Sequence, residues 1–308
     1  MIDTLHPGPR TRRPLSNRIS DRAFNRASVI LLSAAVVAVA YPVYFIVIAS
    51  VSDPSAVQNG DVWFAPSGLT VEGYQRIFSD ATIIRGFGNS VLYTSVATAI
   101  SVALIVSGGY ALSRPDLPGR RTITFLLVIT LFFDGGMIPR YLVVQQLGMI
   151  DTIWAMVLPG AVGVWNLLIA RSFFEVTIPA ELREAAAIDG ASDFRFFFQV
   201  ALPLAKSLVV LMAMIHLVAN WNSFFDALIF LNDADKYPLQ LVLRNILVQS
   251  DLSSGNLTGD LESYAQAQRV GELVKYATIV VSTLPIIALV PFLQKHFTKG
   301  ALLGAVKH

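Results

Sequence analysis

The chain has 308 residues, of which 54% are hydrophobic and only 14% are charged, and its formal net charge is +2. Soluble domains usually carry about 25% charged residues, so this composition argues against a soluble globular protein and favours a membrane protein. Cysteine is absent, which excludes disulfides, thiolate catalysis and cysteine metal sites, and the four histidines lack any HExxH-type spacing.

Six apolar segments follow one another along the chain. A helix needs roughly 20 apolar residues, at a rise of about 1.5 Å each, to cross the hydrocarbon core of a bilayer. The segments do not alternate like barrel strands, and lipid offers backbone groups no partners outside helices or closed barrels. The predicted fold class is therefore all-α, a polytopic membrane protein with six transmembrane helices. The predicted spans are Ala27–Ser52, Gly86–Ser113, Ile123–Leu147, Ile153–Ala170, Ser207–Leu231 and Tyr276–Gln294.

The first segment resembles a cleaved signal peptide only in part. Ala38, Val39 and Ala40 suit a cleavage site, but the apolar run continues to Ala49. That is longer than the roughly 7–15 residues of a signal peptide's apolar region. We predict an uncleaved membrane anchor.

Most of the basic residues lie in the amino-terminal arm, in the loops after the second and fourth spans, and in the tail. Lys and Arg are enriched in cytoplasmic loops, so both termini are predicted to be cytoplasmic. The predicted organisation is a cytoplasmic basic arm at residues 1–26, a transmembrane domain at 27–298 and a cytoplasmic tail at 299–308. Within the domain, the loop 171–206 is predicted to be cytoplasmic, and the loops 53–85 and 232–274 extracytoplasmic.

Two charged residues, Asp134 and Arg140, lie near the middle of the third span, next to Gly135, Gly136 and Pro139. Charges at membrane depth are costly and usually mark a function or an ion pair. The glycines and the proline favour a kinked helix that lines a cavity. Two interpretations stay open, a translocation path and a structural ion pair.

The loop after the fourth span predicts two short helices. Pro179 suits the first turn of a helix, and Glu181 and Glu184 lie where the helix dipole favours acids. Gly190 then permits a sharp turn. The second predicted helix is Asp193–Val200, ending before Pro203, and its apolar knobs are Phe194, Phe197 and Phe198.

The same loop resembles the EAA loop of permease subunits of ABC importers. The shared residues are Glu184, Ala185, Ala186, Gly190, Val200, Leu202 and Pro203. The sequence Asp189-Gly190-Ala191 is similar to the carbohydrate-uptake branch. The tail 299–307 is similar to that of the maltose-type second permease subunit, apart from the terminal His308. The segments 138–144 and 237–245 resemble permeases for complex saccharides, including alginate- and pectin-derived oligosaccharides.

The resemblance implies a permease subunit of a binding-protein-dependent ABC importer in the bacterial cytoplasmic (inner) membrane. Its implied partners are a homologous permease, two ATP-binding cassette subunits, an extracytoplasmic solute-binding protein, membrane lipid and a saccharide, with no nucleic acid. The saccharide is expected to be an oligosaccharide, with uronate types such as alginate oligosaccharides as one class. The chain is not expected to be an enzyme or to hold a catalytic site, metal or cofactor, since ATP and Mg bind the partner subunits. The residues that would couple to the ATPase are Glu184, Ala185, Ala186, Asp189, Gly190, Leu202 and Pro203. For Asp189 a second interpretation is a simple cap of the Gly190 turn.

The fifth span carries Asn220, Trp221 and Asn222, together with His216. Aromatic rings beside amides suit the C–H faces and hydroxyls of a sugar, so these residues join Asp134 and Arg140 as candidates for the translocation path. Ordinary helix packing is the alternative, since Trp often marks the membrane interface. A catalytic role for His216 is not expected, because no positioned acid or nucleophile accompanies it.

Two other function classes compete with this interpretation. A secondary transporter of a small polar solute would usually carry an internal repeat and more spans. An intramembrane enzyme would need a motif such as a metal-binding histidine pair. Neither feature is evident in the sequence.

Overall fold

The computed structural model describes residues 15–255, 269, 271, 274–289 and 291. These residues form helices and connecting loops, and no strand occurs among them. The all-helical prediction is therefore confirmed for this part of the chain. The predicted tail 299–308 and the first fourteen residues of the arm lie outside the described residues. The chain divides into two units, residues 1–70 and 71–308.

The first unit consists of α1 (Leu15–Ala49), α2 (Pro54–Gln58) and a short loop. Helix α1 begins inside the predicted arm, so residues 15–26 are helical and continuous with the anchor. Its apolar side chains from Val29 to Val47 are largely exposed, as expected for a helix made for lipid. The loop after it is ordered by Asp53, whose carboxylate caps α2 and whose amide donates to the carbonyl of Ser67 at 2.9 Å.

The second unit is built around one long helix. Its helices are α3 (Glu72–Ser79), α4 (Ala81–Ser113), α5 (Arg120–Phe132), α6 (Met137–Gln146), α7 (Ile153–Val157), α8 (Val164–Thr177), α9 (Ala180–Ile188), α10 (Asp193–Phe196), α11 (Leu202–Leu204), α12 (Lys206–Trp221), α13 (Phe225–Phe230), α14 (Leu239–Gly255) and α15 (Val274–Leu289). Helix α4 packs against α8, α12 and α14 and forms the centre of this unit. It starts five residues before the predicted span, because Asp80 caps it by accepting from the amide of Thr82 at 2.8 Å.

Three predicted spans are each divided into two helices. The third is split between α5 and α6 at residues 133–136, where the sequence had indicated a disturbance. The fourth was predicted as one helix, which is wrong: α7 and α8 are separated by residues 158–163. This segment contains Pro159, Gly160 and Gly163, which disfavour helix. The fifth is interrupted between α12 and α13.

Two described helices are long and apolar enough to cross a membrane, Phe24–Ala49 and Ala81–Ser113. A third candidate joins Asp193–Leu204 to Lys206–Trp221 across a bend of 76°. Helix α15 is apolar but shorter. Because the remaining predicted spans are broken helices, the count of six crossings stays a prediction.

The described core of the second unit has its largest apolar cluster around one half of α4. Ile105 and Val106 pack there with Phe174 of α8 and with Leu208 and Met212 of α12. Phe196 of α10 belongs to the same cluster. The loop that follows α8 is therefore fixed to the helical core rather than free.

Candidate coupling surface and translocation path

The loop between α8 and α12 contains the two short helices that its sequence predicted. Pro179 immediately precedes the first helical residue of α9 rather than lying inside the first turn. Gly190 has φ +75°, a left-handed conformation that favours glycine, and its amide donates to the carbonyl of Ala187 at 3.0 Å. The chain then reverses into α10, where the hydroxyl of Ser192 caps the amide of Arg195 at 3.3 Å.

The second helix is longer and less regular than predicted. After α10 the chain forms one π-helical segment, Phe197–Ala201, and then α11. Pro203 lies within α11, and the bend comes at Ala205. The break expected near Pro203 is therefore present, two residues further along.

The predicted aromatic knobs divide between two environments. Phe194 and Phe198 are 79% and 60% exposed. Phe197 instead lies against Tyr110 of α4, with ring centroids 5.0 Å apart. The element therefore presents two aromatic rings outward while a third holds it to the core, with Val200, Leu202 and Ala186 packed partly buried beside it.

An ion-pair network ties this element to the end of α4. The guanidinium of Arg114 donates to Asp116 (Nε to Oδ1, 3.0 Å) and pairs with Asp193, the first residue of α10. Hydrogen bonds from Arg114 lower the pKa of Asp116 to about 2, and the hydrogen bonds to Asp116 and then Asp193 raise the pKa of Arg114. Arg183 of α9 lies 3.9 Å from Asp116 and joins the same network.

Two acids, one in α9 and one directly after it, keep their carboxylates available. Glu184 is exposed, and within the described part of the chain it has no hydrogen-bond or ion-pair partner. Asp189 is the last residue before the Gly190 turn, and its amide donates to the carbonyl of Ala185 at 3.1 Å. This placement agrees with a turn residue, while contact with a partner stays a prediction. Ala185 is exposed beside Glu184.

The two charges of the third span do not pair with each other. Asp134 accepts from the amide of Gly136 at 3.0 Å and so orders the break between α5 and α6. Arg140 donates to Asp226 of α13 at 3.0 Å, and its guanidinium carbon lies 5.6 Å from the centroid of the Phe230 ring. The side chains of Arg140 and Asp226 are 41% and 25% exposed. The pair therefore joins α6 to α13 within the subunit, which supports the structural interpretation, and a role in the path stays a prediction.

The polar residues of the fifth span lie in different surroundings. Trp221 is 5% exposed, donates from Nε1 to the carbonyl of Ser282 at 2.9 Å and meets Phe87 edge-on. Asn222 is exposed and donates to the carbonyl of Val218 at 2.9 Å. The amide nitrogen of Asn220 is buried with no partner among the described residues. Trp221 thus agrees with packing, whereas Asn220 and Asn222 stay candidates for the path.

His216 is buried and its Nε2 lies 3.2 Å from the amide nitrogen of Asn166 on α8. This contact links α8 to α12.

Sequence reasoning missed a polar cluster around Asp151. Its carboxylate accepts from the amides of Asn232 and Asp233, both at 3.1 Å, and from Lys236 at 2.8 Å. The hydrogen bond from Lys236 is the main reason that the pKa of Asp151 is lowered, and the pKa of Lys236 is raised in return. The only sequence signal was a surplus of acids after α13, which could not identify a partner more than eighty positions away.

Comparison with known proteins identifies the family of the chain, and the matched residues include the loop 171–206. Residues 121–303 match the family described as "Binding-protein-dependent transport system inner membrane component". The chain belongs to this family. Because this family consists of permeases of ABC importers, the alternative of a secondary transporter is set aside.

Relatives cover nearly the whole permease. It is 38% identical to Protein LplC of Bacillus subtilis (strain 168), over 95% of this chain and 98% of the relative. It is 39% identical to the polygalacturonan/rhamnogalacturonan transport system permease protein YtcP of the same organism, over 86% and 92% of the two chains. A crystal structure of a bacterial ABC transporter involved in the import of the acidic polysaccharide alginate has a chain that superposes with a TM-score of 0.81. That chain is 32% identical, and the match covers 90% of this permease and 98% of that chain.

Proposed function

We propose that this chain is the permease subunit of an importer for an acidic oligosaccharide, in which it forms the translocation path together with a homologous permease. One similar protein is named a polygalacturonan/rhamnogalacturonan transport system permease, and another is a chain of a transporter involved in the import of the acidic polysaccharide alginate. An extracytoplasmic binding protein would deliver the saccharide, and two ATP-binding cassette subunits would bind ATP and Mg. The chain itself would hydrolyse nothing.

The proposed topology has six crossings with both termini in the cytoplasm. The basic residues support it, since the positive-inside rule places the arm, the tail and the loop 171–206 on one side. The crossings formed by α5 with α6, α7 with α8, and α12 with α13 are then broken helices. Such breaks are tolerated at membrane depth where they face protein or a water-filled cavity.

One observation carries the proposal: the loop 171–206 has an outward surface without a partner and an inward surface that is firmly held. The outward surface consists of Glu184 with the exposed rings of Phe194 and Phe198. An unpaired acid in the same loop as exposed apolar rings suits a protein partner better than water. We assign this coupling surface to the ATPase, with Glu184 toward a basic group and the rings in an apolar groove.

The inward surface supplies the mechanism. A displacement of α9 and α10 by the ATPase is resisted by the pair of Arg114 with Asp193 and by the contact of Phe197 with Tyr110. These contacts reach Arg114, directly after α4, and Tyr110 of α4, and α4 packs along α8 and α12. The movement is therefore passed to the central helix, and the bundle changes between inward-open and outward-open populations as its partners bind.

The first prediction tests this coupling surface. Glu184→Ala should reduce sugar uptake at least about tenfold in the assembled importer, since a lost charged contact at an interface costs about 2–5 kcal/mol. Gly190→Val should have at least as large an effect, because a β-branched residue is strained at φ +75° and the angle between α9 and α10 depends on that turn. Uptake by membrane vesicles and ATP hydrolysis by the purified complex measure both.

The matched control is Glu72→Ala, which removes an acid from α3, outside the loop, and should leave uptake unchanged. Each variant must be present at the normal level in the membrane. If Glu184→Ala retains uptake coupled to ATP hydrolysis, the docking role of this surface is wrong.

A further inference from the structure

A basic cavity lies at the start of α5, beside the carboxyl-terminal end of α8. Its volume is about 840 Å³, within the roughly 300–1,000 Å³ of ligand pockets. The polar lining consists of three arginines and two threonines, and an aromatic ring adjoins them: Arg120, Arg121, Arg171, Thr122, Thr124 and Phe125. None of these residues belongs to the coupling surface or to the candidate path.

The cavity carries more positive charge than the chain neutralises. Glu175 pairs with both Arg120 and Arg171, and the latter bond is 3.0 Å. One carboxylate therefore serves two guanidinium groups. Arg121 is exposed and has no ion-pair or hydrogen-bond partner among the residues that the structure describes. Arginine keeps its charge in proteins, so the group has two positive charges in excess.

The start of α5 supplies further donors next to this cavity. Helix α5 begins after Gly119 without a side-chain cap, which leaves amide donors in its first turn at the positive end of the helix dipole. Donors of this kind and guanidinium groups together suit a phosphate better than a carbohydrate hydroxyl.

The apolar neighbours of the cavity decide the class of ligand. Phe125 and Leu126 follow the arginines on α5 and are 64% and 56% exposed. An anion bound by the arginines would thus have an apolar surface directly beside it. A free phosphate has no use for that surface, whereas a phospholipid places its headgroup and its acyl chain in this arrangement.

We propose that this cavity binds the phosphodiester headgroup of an anionic phospholipid, with an acyl chain along Phe125 and Leu126. Arg121 is the residue that contributes a charge with no internal partner, and Arg120 and Arg171 hold the wall of the site. The proposal needs the chain to lie in a membrane, as its family does, but does not depend on which solute it transports.

The test measures lipid binding to the purified importer complex by native mass spectrometry. Phosphatidylglycerol should bind at least about fivefold more tightly than phosphatidylcholine with the same acyl chains, the effect expected of a basic residue near an anionic lipid. Arg121→Gln should lower phosphatidylglycerol affinity about fivefold and leave phosphatidylcholine unchanged. Arg121→Lys should retain most of the affinity. The folding of these variants is not in question, since Arg121 is exposed.

The control is Arg76→Gln, which removes the same charge from α3 and should leave the preference for phosphatidylglycerol unchanged. Equal affinity of the unmodified complex for the two lipids would overturn the proposal, as would an equal effect of the two Gln variants. Displacement of phosphatidylglycerol by excess inorganic phosphate, with no preference for acyl chains, would assign the cavity to a free anion. A cavity already filled by a carboxylate of a partner subunit would bind neither lipid and would also overturn it. Because lipid binding is read directly, failure here leaves the transport proposal standing.

Discussion

Asp151 is the one non-glycine residue with a positive φ, 61°, among those that the structure describes. Aspartate tolerates this conformation better than most residues because its short side chain can bond locally. Here the carboxylate bonds to the loop after α13, and its own amide donates to the carbonyl of Phe230 at 2.8 Å. The strain at this residue thus accompanies a clamp between the segment before α7 and the segment after α13.

The pKa shifts of this clamp define where it is stable. Because the pKa of Asp151 is lowered, its carboxylate stabilises the loop fully at a pH above the ordinary aspartate pKa. This stabilisation is lost as the pH falls through the lowered pKa. The raised pKa of Lys236 stabilises it below the ordinary lysine value and is lost as the pH rises through the raised one. We expect Asp151→Asn to speed amide exchange at Asn232 and Asp233 up to about fivefold at neutral pH, the size of an exposed ion pair.

After correction for the intrinsic pH dependence of amide exchange, the protection of Asn232 and Asp233 should fall on acidification in the unmodified chain but no longer in Asp151→Asn. Asp61→Asn, in the first unit, is the control and should leave the exchange at Asn232 unchanged. Unaltered exchange at Asn232 and Asp233 in Asp151→Asn would contradict the clamp.

The pair of Arg140 and Asp226 gives a second prediction for a single residue. Arg140→Gln should lower the free energy of unfolding by about 1–3 kcal/mol, between the effects for exposed and buried pairs. Asp226→Asn should do the same, and the double variant should cost less than the two changes added together. Thermal unfolding of the purified complex compares the stability of the two single variants and the double variant. Loss of transport in Arg140→Gln with unchanged unfolding would instead support a role in the path.

The sequence identified Arg140 as a residue that needs explanation but not its partner. The cost of a charge at membrane depth can be stated from sequence alone, whereas Asp226 lies on another helix 86 positions away. In the same way, the sequence predicted Trp221 as either path or packing, and its burial and its bond to Ser282 in the structure favour packing. Pairing across helices depends on tertiary structure, which periodicity does not contain.

Among the helices, α4 lies close against α8 at Gly109. A Cβ at this position would lie 2.5 Å from the Cβ of Ala170 and 3.0 Å from its carbonyl carbon. Small residues of this kind let helix backbones pack closely. Gly109→Ala should therefore destabilise the permease by about 1–3 kcal/mol, as an overpacked contact does.

Gly88 on the same helix supplies the matched control, since a Cβ there meets nothing within 4 Å. Gly88→Ala should be neutral or slightly stabilising, because alanine favours helix more than glycine does. Thermal unfolding in one detergent compares the two directly. Equal effects of the two substitutions would show that the contact of α4 with α8 is looser than described.

Helix breaks were predicted where their residues are obvious and missed where they are weak. Gly135, Gly136 and Pro139 indicate the division of the third span. The apolar composition of the fourth span predicts a continuous helix, although it contains Pro159 and Gly160. Apolar composition dominates a count of spans, so breaks inside an apolar run are easily overlooked.

For the whole molecule, the absence of cysteine gives a clean test of topology. Ser79→Cys, in the loop 53–85, should react with a membrane-impermeant maleimide added to intact cells. Ala180→Cys, at the start of α9, should react only after the membrane is opened. Both positions are exposed, so accessibility within the fold does not differ between them. Labelling of Ala180→Cys in intact cells would reverse the proposed orientation.

Class and family were accessible from sequence because they rest on local patterns, the apolar segments and the spacing within 184–203. The loop 171–206 folds much as these patterns indicated, since Gly190 and the short helices are set by neighbouring residues. The basic cavity at α5 was not predicted. The charge of this cavity depends on Glu175, which is shared between two arginines from different helices.

The π-helical segment Phe197–Ala201 has a consequence for how the length of this loop can vary. A π turn contains one residue more than the α turn it replaces. Deleting one residue there would restore a regular α-helix and rotate everything before it by about 100° relative to α11. Phe194 and Phe198 would then face another direction, and Asp193 would leave Arg114. The number of residues between Gly190 and Pro203 is therefore more constrained than their identities, and insertions or deletions here should be tolerated far less than substitutions.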